Sequence, residues 1–134
     1  MADTFLFELV APESLIYSDQ VEMVVVPGSE GEFGVLPGHS PLISAVRPGI
    51  VEIYEYPAIK SKARFFVAGG FAEVTNDRCA VLTEDAVPVE DLKRADLEQR
   101  IKDAEEALAA TASDADRTLI EARLTTLRDL AQAA

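Results

Sequence analysis

The sequence predicts a β-sandwich, or flattened barrel, followed by an antiparallel two-helix hairpin. Three observations carry that reading. Short runs of β-branched and aromatic residues recur roughly every eight to twelve positions as far as Asp85. All seven glycines and all seven prolines lie at or before Pro88. Beyond Pro88 the apolar residues fall at helical spacing instead. The change places a boundary near 86–90 and divides the chain into a β domain at 1–87 and a helical part at 88–134.

The β part reads element by element. TFLFELV (4–10) and QVEMVVV (20–26) are rich in the residues that fit a pleated, half-buried surface. GIVEIYEY (49–56) sets Glu52 and Glu55 among apolar neighbours. ARFFVAG (63–69), FAEVTN (71–76) and RCAVLTE (78–84) follow at short spacing. Gly69-Gly70 and Asn76-Asp77 separate these runs and suit tight hairpins, because Gly, Asn and Asp tolerate positive φ. The runs at 24–26 (VVV) and 65–67 (FFV) lack alternation, which predicts strands covered on both faces.

Residues 28–49, GSEGEFGVLPGHSPLISAVRPG, hold five of the seven glycines, three of the seven prolines and the only histidine. Glycine supplies positive φ and proline fixes φ, so this density specifies a rigid, turning backbone.

The helical part carries two stripes. Leu97, Ile101, Ala104 and Leu108 are spaced 4-3-4, and Ile120, Leu124, Leu127 and Ala131 repeat the spacing. Between them TASDAD (111–116) is short and polar, which implies antiparallel helices. Ser113 is placed to cap the second helix, with Asp116 in its first turn. Glu90/Arg94, Asp96/Arg100 and Glu98/Lys102 have the favourable i,i+4 order. The stripes are narrow, with alanine at several positions, so the hairpin alone buries little area and is expected to dock on something or move.

Composition excludes several functions. A formal net charge of −12 disfavours nucleic acid, whose phosphates require Lys and Arg, and disfavours anionic lipid. No apolar run approaches the ~20 residues that span a bilayer. The start MADTFLFELV has neither a basic n-region nor an Arg/Ser-rich leader, so no targeting segment is expected. Cys79 is the single cysteine, which rules out an internal disulfide and suits a reducing compartment as an inert core residue. There is no P-loop, and GSEGEFG spaces its glycines differently from a dinucleotide fingerprint. One His and one Cys cannot make a structural zinc site. His39 could act as a general base in principle, but PGHSP supplies no nucleophile beside it, so it reads as a loop histidine. The residues thus describe a non-enzymatic protein that works through protein contacts.

A resemblance adds a name to that reading. Gly28-Ser29-Glu30-Gly31-Glu32, Gly34, Leu36-Pro37-Gly38-His39, Pro41-Leu42 and Pro48-Gly49 closely resemble the epsilon subunit of bacterial F-type ATP synthase. FELVAPESLIYS (7–18) resembles that family's first hairpin and VAGGFAEVTNDRCAVLTEDA (67–86) its later strands. DLKRA (91–95) stands where its helical hairpin begins. The resemblance covers essentially the whole chain. It implies a ten-stranded β-sandwich followed by two helices. It implies a non-catalytic rotor subunit of the central stalk that binds the gamma subunit and the c-subunit ring and couples proton flow to ATP synthesis. The location it implies is peripheral, on the cytoplasmic side of the bacterial inner membrane, without lipid insertion.

The resemblance also assigns roles to residues. Ser29, Glu30, Gly31 and Glu32 become contacts with the c ring, with His39 beside them. The C-terminal hairpin becomes a regulatory element, which in several members extends toward the alpha and beta subunits and inhibits ATP hydrolysis. Some members bind ATP in the compact hairpin through [I/L]DxxRA. Here Asp91, Arg94 and Ala95 match, but Glu90 replaces the leading residue. The resemblance makes Arg123 the candidate nucleotide contact on the second helix beside Asp91 and Arg94, yet Arg128 lies five positions on, roughly 140° out of alignment at about 3.6 residues per turn. No cofactor is expected beyond this possible ATP. From Val89 onward eleven acidic residues outnumber seven basic ones, which weakens an electrostatic clamp on an acidic partner. The alternative reading is a stand-alone nucleotide-sensing module of the same two parts.

Overall fold

A computed structural model describes residues 4–55 and 62–133, with the side chain of residue 133 left out. In β1 (Phe5–Ala11) alternation decides which side faces in: Phe5, Phe7 and Leu9 are buried, while Leu6, Glu8 and Val10 are only partly covered. β1 turns at Pro12-Glu13 into β2 (Ser14–Val21), its antiparallel partner. The remaining strands are β3 (Met23–Gly28), β4 (Gly31–Val35), β5 (Leu42–Val46), β6 (Gly49–Tyr54), β7 (Ala63–Val67), β8 (Gly70–Val74), β9 (Arg78–Leu82) and β10 (Ala86–Pro88). The end of the expected 49–56 strand, Tyr56, lies outside the described residues.

The ten strands form one ladder in the order β10-β7-β6-β3-β5-β8-β9-β1-β2, with β4 on β3. β3 is the corner: Met23, Val24 and Val25 pair with β6, while Gly28 pairs with Val46 of β5. The two halves of the ladder fold over one another around Phe7, Leu9, Val24, Val26, Val51, Ile53, Val67, Val74 and Val81, all fully buried. The β1–β9 pairing is parallel and ties the first strand to the penultimate one.

One expected hairpin is not a hairpin. β7 pairs with β6 and β10, and β8 pairs with β5 and β9, so Gly69-Gly70 carries the chain from one layer to the other. Both glycines hold positive φ, +103° and +141°. Asn76-Asp77 does join the paired strands β8 and β9, closed by the Thr75 N–H on the Arg78 carbonyl at 2.8 Å. It does so without positive φ, which no non-glycine residue adopts among those described. The loop stabilises itself through the Thr75 hydroxyl, which donates to the Asp77 carboxylate at 3.1 Å.

A 3-10 turn (Val89–Asp91) leads to α1 (Arg94–Ala110) and α2 (Asp114–Ala133). Ser113 Oγ accepts the Asp116 N–H at 3.3 Å, as an N-cap should. The expected i,i+4 charge pairs give way to others. α1 begins only at Arg94, so Glu90 stays outside it and Arg94 donates to Glu98 instead at 3.3 Å. Asp96 accepts the Lys93 N–H, and Arg100 reaches Asp85 at 3.2 Å.

The stripes meet the sandwich. Phe66, which points out of β7, is buried with Leu92, Leu97 and Leu127, and Ile50, Val87, Ile101, Leu130 and Ala131 pack around them. This explains the unalternated FFV run: Phe65 and Val67 fill the sandwich, and Phe66 fills the seat of the helices. Each fully buried side chain of this size contributes about 1.5–3 kcal/mol.

The crossing at Gly70 yields a direct test. A Cβ there would collide with the Leu82 carbonyl, in a conformation that L side chains rarely adopt. Gly70→Ala is expected to lower the unfolding free energy by at least about 2 kcal/mol in urea titrations. A midpoint unchanged from the parent chain would contradict this account of the crossing.

Candidate functional site

The turn-rich segment forms two pinned loops. Ser29 and Glu30 are the two residues between β3 and β4, whose last pair is Gly28–Gly31. Gly31 holds φ +133°, which closes the turn. Two bonds fix this tip to the neighbouring strand: the Ser29 N–H donates to the Ala45 carbonyl and the Arg47 N–H to the Pro27 carbonyl, both at 2.9 Å. Ser29, Glu30 and Glu32 are exposed and Gly31 is half-buried.

The second loop runs from Leu36 to Pro41. The Gly38 N–H donates to the Asn76 carbonyl at 2.9 Å, which ties it to the β8–β9 turn. His39 Nδ1 lies 2.6 Å from the Ser40 carbonyl. A carbonyl only accepts, so Nδ1 carries the proton and is occupied locally. The imidazole is half-buried, and its Nδ1 bonds within the loop.

Glu32 turns toward the helices. It borders a groove of about 550 Å³ with Arg47, Glu52 and Arg64 on the sandwich side and Thr125 and Asp129 on α2. Burial, with the neighbouring Glu52 and Glu32 carboxylates, holds the Tyr54 hydroxyl above its ordinary pKa. The Tyr54 hydroxyl donates to Glu52 at 3.0 Å.

The three residues assigned to nucleotide are spread apart. Asp91 and Arg94 are exposed at the start of the helical part, and Arg94 is paired with Glu98. Arg123 lies in α2 against the sandwich and borders two cavities, neither of which includes Asp91 or Arg94. Arg128 pairs with Glu105 of α1 at 3.3 Å. Among the described residues no group of three or more His, Cys, Asp or Glu side chains could hold a metal ion. No described helix is long and apolar enough to cross a membrane.

The sequence reading missed a surface. β5, β8 and β9 turn Ile43, Ala45, Phe71 and Leu82 outward, in a register that sets Ala45 beside Phe71 and Phe71 beside Leu82. Ile43 is 76% exposed, Phe71 63% and Leu82 49%. Contiguous exposed side chains of this kind mark interaction sites in soluble proteins. The outer face of β6 and β7 carries comparable apolar residues, Ile50 and Phe66, but the chain's own helices cover it. Glu8 and Arg78 form an ion pair at 2.6 Å beside the open face. The signal was available: apolar residues at both parities of the β8 and β9 runs.

Cys79 is fully buried in the core, and burial pushes its thiol up to about 12. The folded state therefore keeps a proton that the unfolded chain releases from about pH 9. Stability is fully present below pH 9 and declines as pH rises toward 12. The Tyr17 and Tyr54 hydroxyls, also raised chiefly by burial, add a decline that begins near pH 10. Cys79→Ala is expected to flatten the part that begins near pH 9, by up to about 1.4 kcal/mol per pH unit. Urea unfolding at half-unit pH steps measures the slope, and equal slopes for both proteins would refute it.

Comparison with known proteins follows this geometry closely. Residues 4–89 match the family described as ATP synthase, Delta/Epsilon chain, beta-sandwich domain. The chain is 50% identical to the ATP synthase epsilon chain of Rhodospirillum centenum over 129 residues, 94% of this chain and 88% of that one. It is 48% identical to the ATP synthase epsilon chain of Rhodospirillum rubrum over 117 residues, 87% of this chain and 86% of that one. Among solved structures it is similar to a chain of the Euglena gracilis mitochondrial ATP synthase, OSCP/F1/c-ring in rotational state 1. The TM-score is 0.72 at 27% identity, covering 99% of this chain and 82% of that one. A chain of the Tetrahymena thermophila mitochondrial ATP synthase central stalk/c-ring shares the fold, with a TM-score of 0.63 at 13% identity over 98% of this chain and 97% of that one.

Proposed function

The chain belongs to the family of ATP synthase epsilon chains, and from that premise we propose that it is a non-catalytic rotor subunit of the central stalk. The open apolar face of β5, β8 and β9 carries the reading. A sandwich that covers one outer face with its own helices and leaves on the other an exposed apolar patch, Ile43, Ala45, Phe71 and Leu82 beside Glu73, is built to be held by a partner. We assign that face to the gamma subunit. Association buries Ile43, Phe71 and Leu82 without disturbing the sandwich core, because these residues stand outside it.

The c ring is the second partner. Ser29, Glu30, Gly31 and Glu32 present a stiff tip whose backbone is fixed by hydrogen bonds to the end of β5, whereas His39 stands apart from it, in the loop tied to the β8–β9 turn at the other end of β5. A coupling element must transmit torque without flexing, and these bonds supply that stiffness. Glu30 and Glu32 orient the contact with basic loop residues rather than add much affinity, since rim ion pairs are individually weak. The division into a sandwich at 1–87 that docks and a hairpin at 88–134 that regulates follows the same logic. The protein sits peripherally at the cytoplasmic side of the bacterial inner membrane, held there through its partners.

Two measurements test the two contacts. Phe71→Ser combined with Ile43→Ser is expected to weaken binding to the gamma subunit at least about tenfold by calorimetry, with the melting temperature little changed. Unchanged affinity would remove gamma from this face. In the reassembled complex, a cysteine replacing Glu32 is expected to cross-link under mild oxidation to a cysteine in the polar loop of the c subunit. Absence of that cross-link, with Ser29→Cys and Glu30→Cys equally silent, would remove the c ring from this tip.

A further inference from the structure

Among the described residues, Arg123 is the one side chain with a buried polar atom left unpaired. Its Nε is buried and has no hydrogen-bond partner among the described residues. A guanidinium stays protonated and offers a planar fork of donors, so a buried N–H left open costs stability unless something fills it. The acids nearby do not: Asp85 is paired with Arg100 at 3.2 Å, and Glu84 borders both cavities beside Arg123 without bonding Nε.

One of those cavities, of about 590 Å³, is mostly apolar and lies between the sandwich and α2. Val10, Pro12, Phe71 and Leu82 line it on the sandwich side and Arg123 on the helix side. Phe71 and Leu82 also belong to the open outer face, so the cavity is the end of that face where it meets the helical hairpin.

We propose that this cavity takes a segment of the polypeptide docked on the open face, an apolar side chain against Phe71 and Leu82 next to a carboxylate that pairs with Arg123. The proposal rests on the docking reading given above. A carboxylate matches the guanidinium fork in charge and bidentate geometry. A triphosphate fits less well, because the second cavity beside Arg123 sets Glu84, Asp85 and Asp103 against Arg100 as the one further cation, while the apolar cavity carries Glu84 as its one acid, and a single carboxylate meets less repulsion there than a polyanion would. One partner would then touch both the sandwich and α2. Its binding would favour the seated hairpin, and the seated hairpin would favour its binding, by the same factor.

The test uses the full chain and the gamma subunit as the probe, by calorimetry at low and moderate salt. Arg123→Gln is expected to weaken binding about tenfold or more, with a smaller salt dependence. Arg123→Lys is expected to recover part of the loss, because it keeps the charge without the fork. Glu84→Gln is expected to leave binding unchanged or to tighten it. Hydrogen exchange in α2 should slow on complex formation in the unchanged chain and not in Arg123→Gln. Circular dichroism checks that each variant folds, and Arg123→Lys serves alone if Arg123→Gln does not. Should Arg123→Gln bind as tightly as the unchanged chain while Phe71→Ser binds weakly, the docking face stands and this proposal is overturned. Should Phe71→Ser also bind at full strength, the docking reading fails and takes this proposal with it. A melting temperature that ATP raises in the unchanged chain but not in Arg123→Gln, with gamma affinity equal, would assign the site to phosphate and overturn the proposal as well.

Discussion

From Phe65 to Val67 strand β7 is buried on both faces, and the two-part architecture hangs on that constraint. Phe65 and Val67 enter the sandwich core, and Phe66 between them enters the seat of the helices. Strand alternation allows no other division: if two neighbours point in, the residue between them points out. An outward Phe needs cover, and the chain supplies it from Val87 and Leu92, then from Leu97 of α1 and Leu127 of α2. Val87 of β10 pairs with Phe66, and Leu92 packs on the same ring just beyond. The strand that borders the sheet edge thus also aims the helices across its outer face.

The seat is apolar and small, which bears on how the hairpin is held. Leu97 and Ala104 on α1, and Leu124 and Leu127 on α2, are the buried members of stripes otherwise only partly covered. The ion pairs add little. Arg94–Glu98 and Arg128–Glu105 lie within the hairpin, and both are exposed enough for water to screen them. Of the ion pairs, Arg100–Asp85 joins α1 to the sandwich, and it too is partly exposed. An element with few buried contacts to its neighbour opens more readily than the core beneath it. The sandwich has no such weakness, because its ladder runs through all ten strands and the parallel β1–β9 pair ties the beginning of the chain to its late strands.

The parts of this design that were legible in the sequence are those with a period. Phe5, Phe7 and Leu9 announce β1 by alternation, and the two 4-3-4 stripes announce the helices. Ser113 announces a helix start because its chemistry is local. The Gly69-Gly70 crossing was not legible, since positive φ serves a hairpin and a layer change equally well. The Glu90–Arg94 pair was misread because the true α1 start at Arg94 removes Glu90 from the helix, and the Asp96–Arg100 pair because Asp96 turns back to the Lys93 N–H while Arg100 reaches Asp85. Of the candidate site, residues 29–32 were visible as a turn, but nothing local to them reveals that Glu32 borders a groove against α2. The open face was hidden for a different reason. Phe71 and Leu82 resemble any apolar strand residues until one knows which face the helices have taken.

That choice of face gives the molecule its logic. A symmetric sandwich would offer two apolar outer faces and no preference between partners. Here the hairpin occupies the β6–β7 face, so a partner is left the β5–β8–β9 face, and the two occupants stand on opposite layers. They are not fully separate. The Gly69-Gly70 crossing carries the chain between layers, and the cavity beside it brings Phe71 and Leu82 of the open face within reach of Arg123 on α2. Any partner that follows the open face to its end meets the helices there. A rotor component needs rigidity where torque passes and a weak seat where regulation acts. In the proposed assignment, the hydrogen-bonded tip at 29–32 and the lightly held hairpin would answer these needs at different places. The corner at Gly70 is where the docking face and the hairpin come into contact.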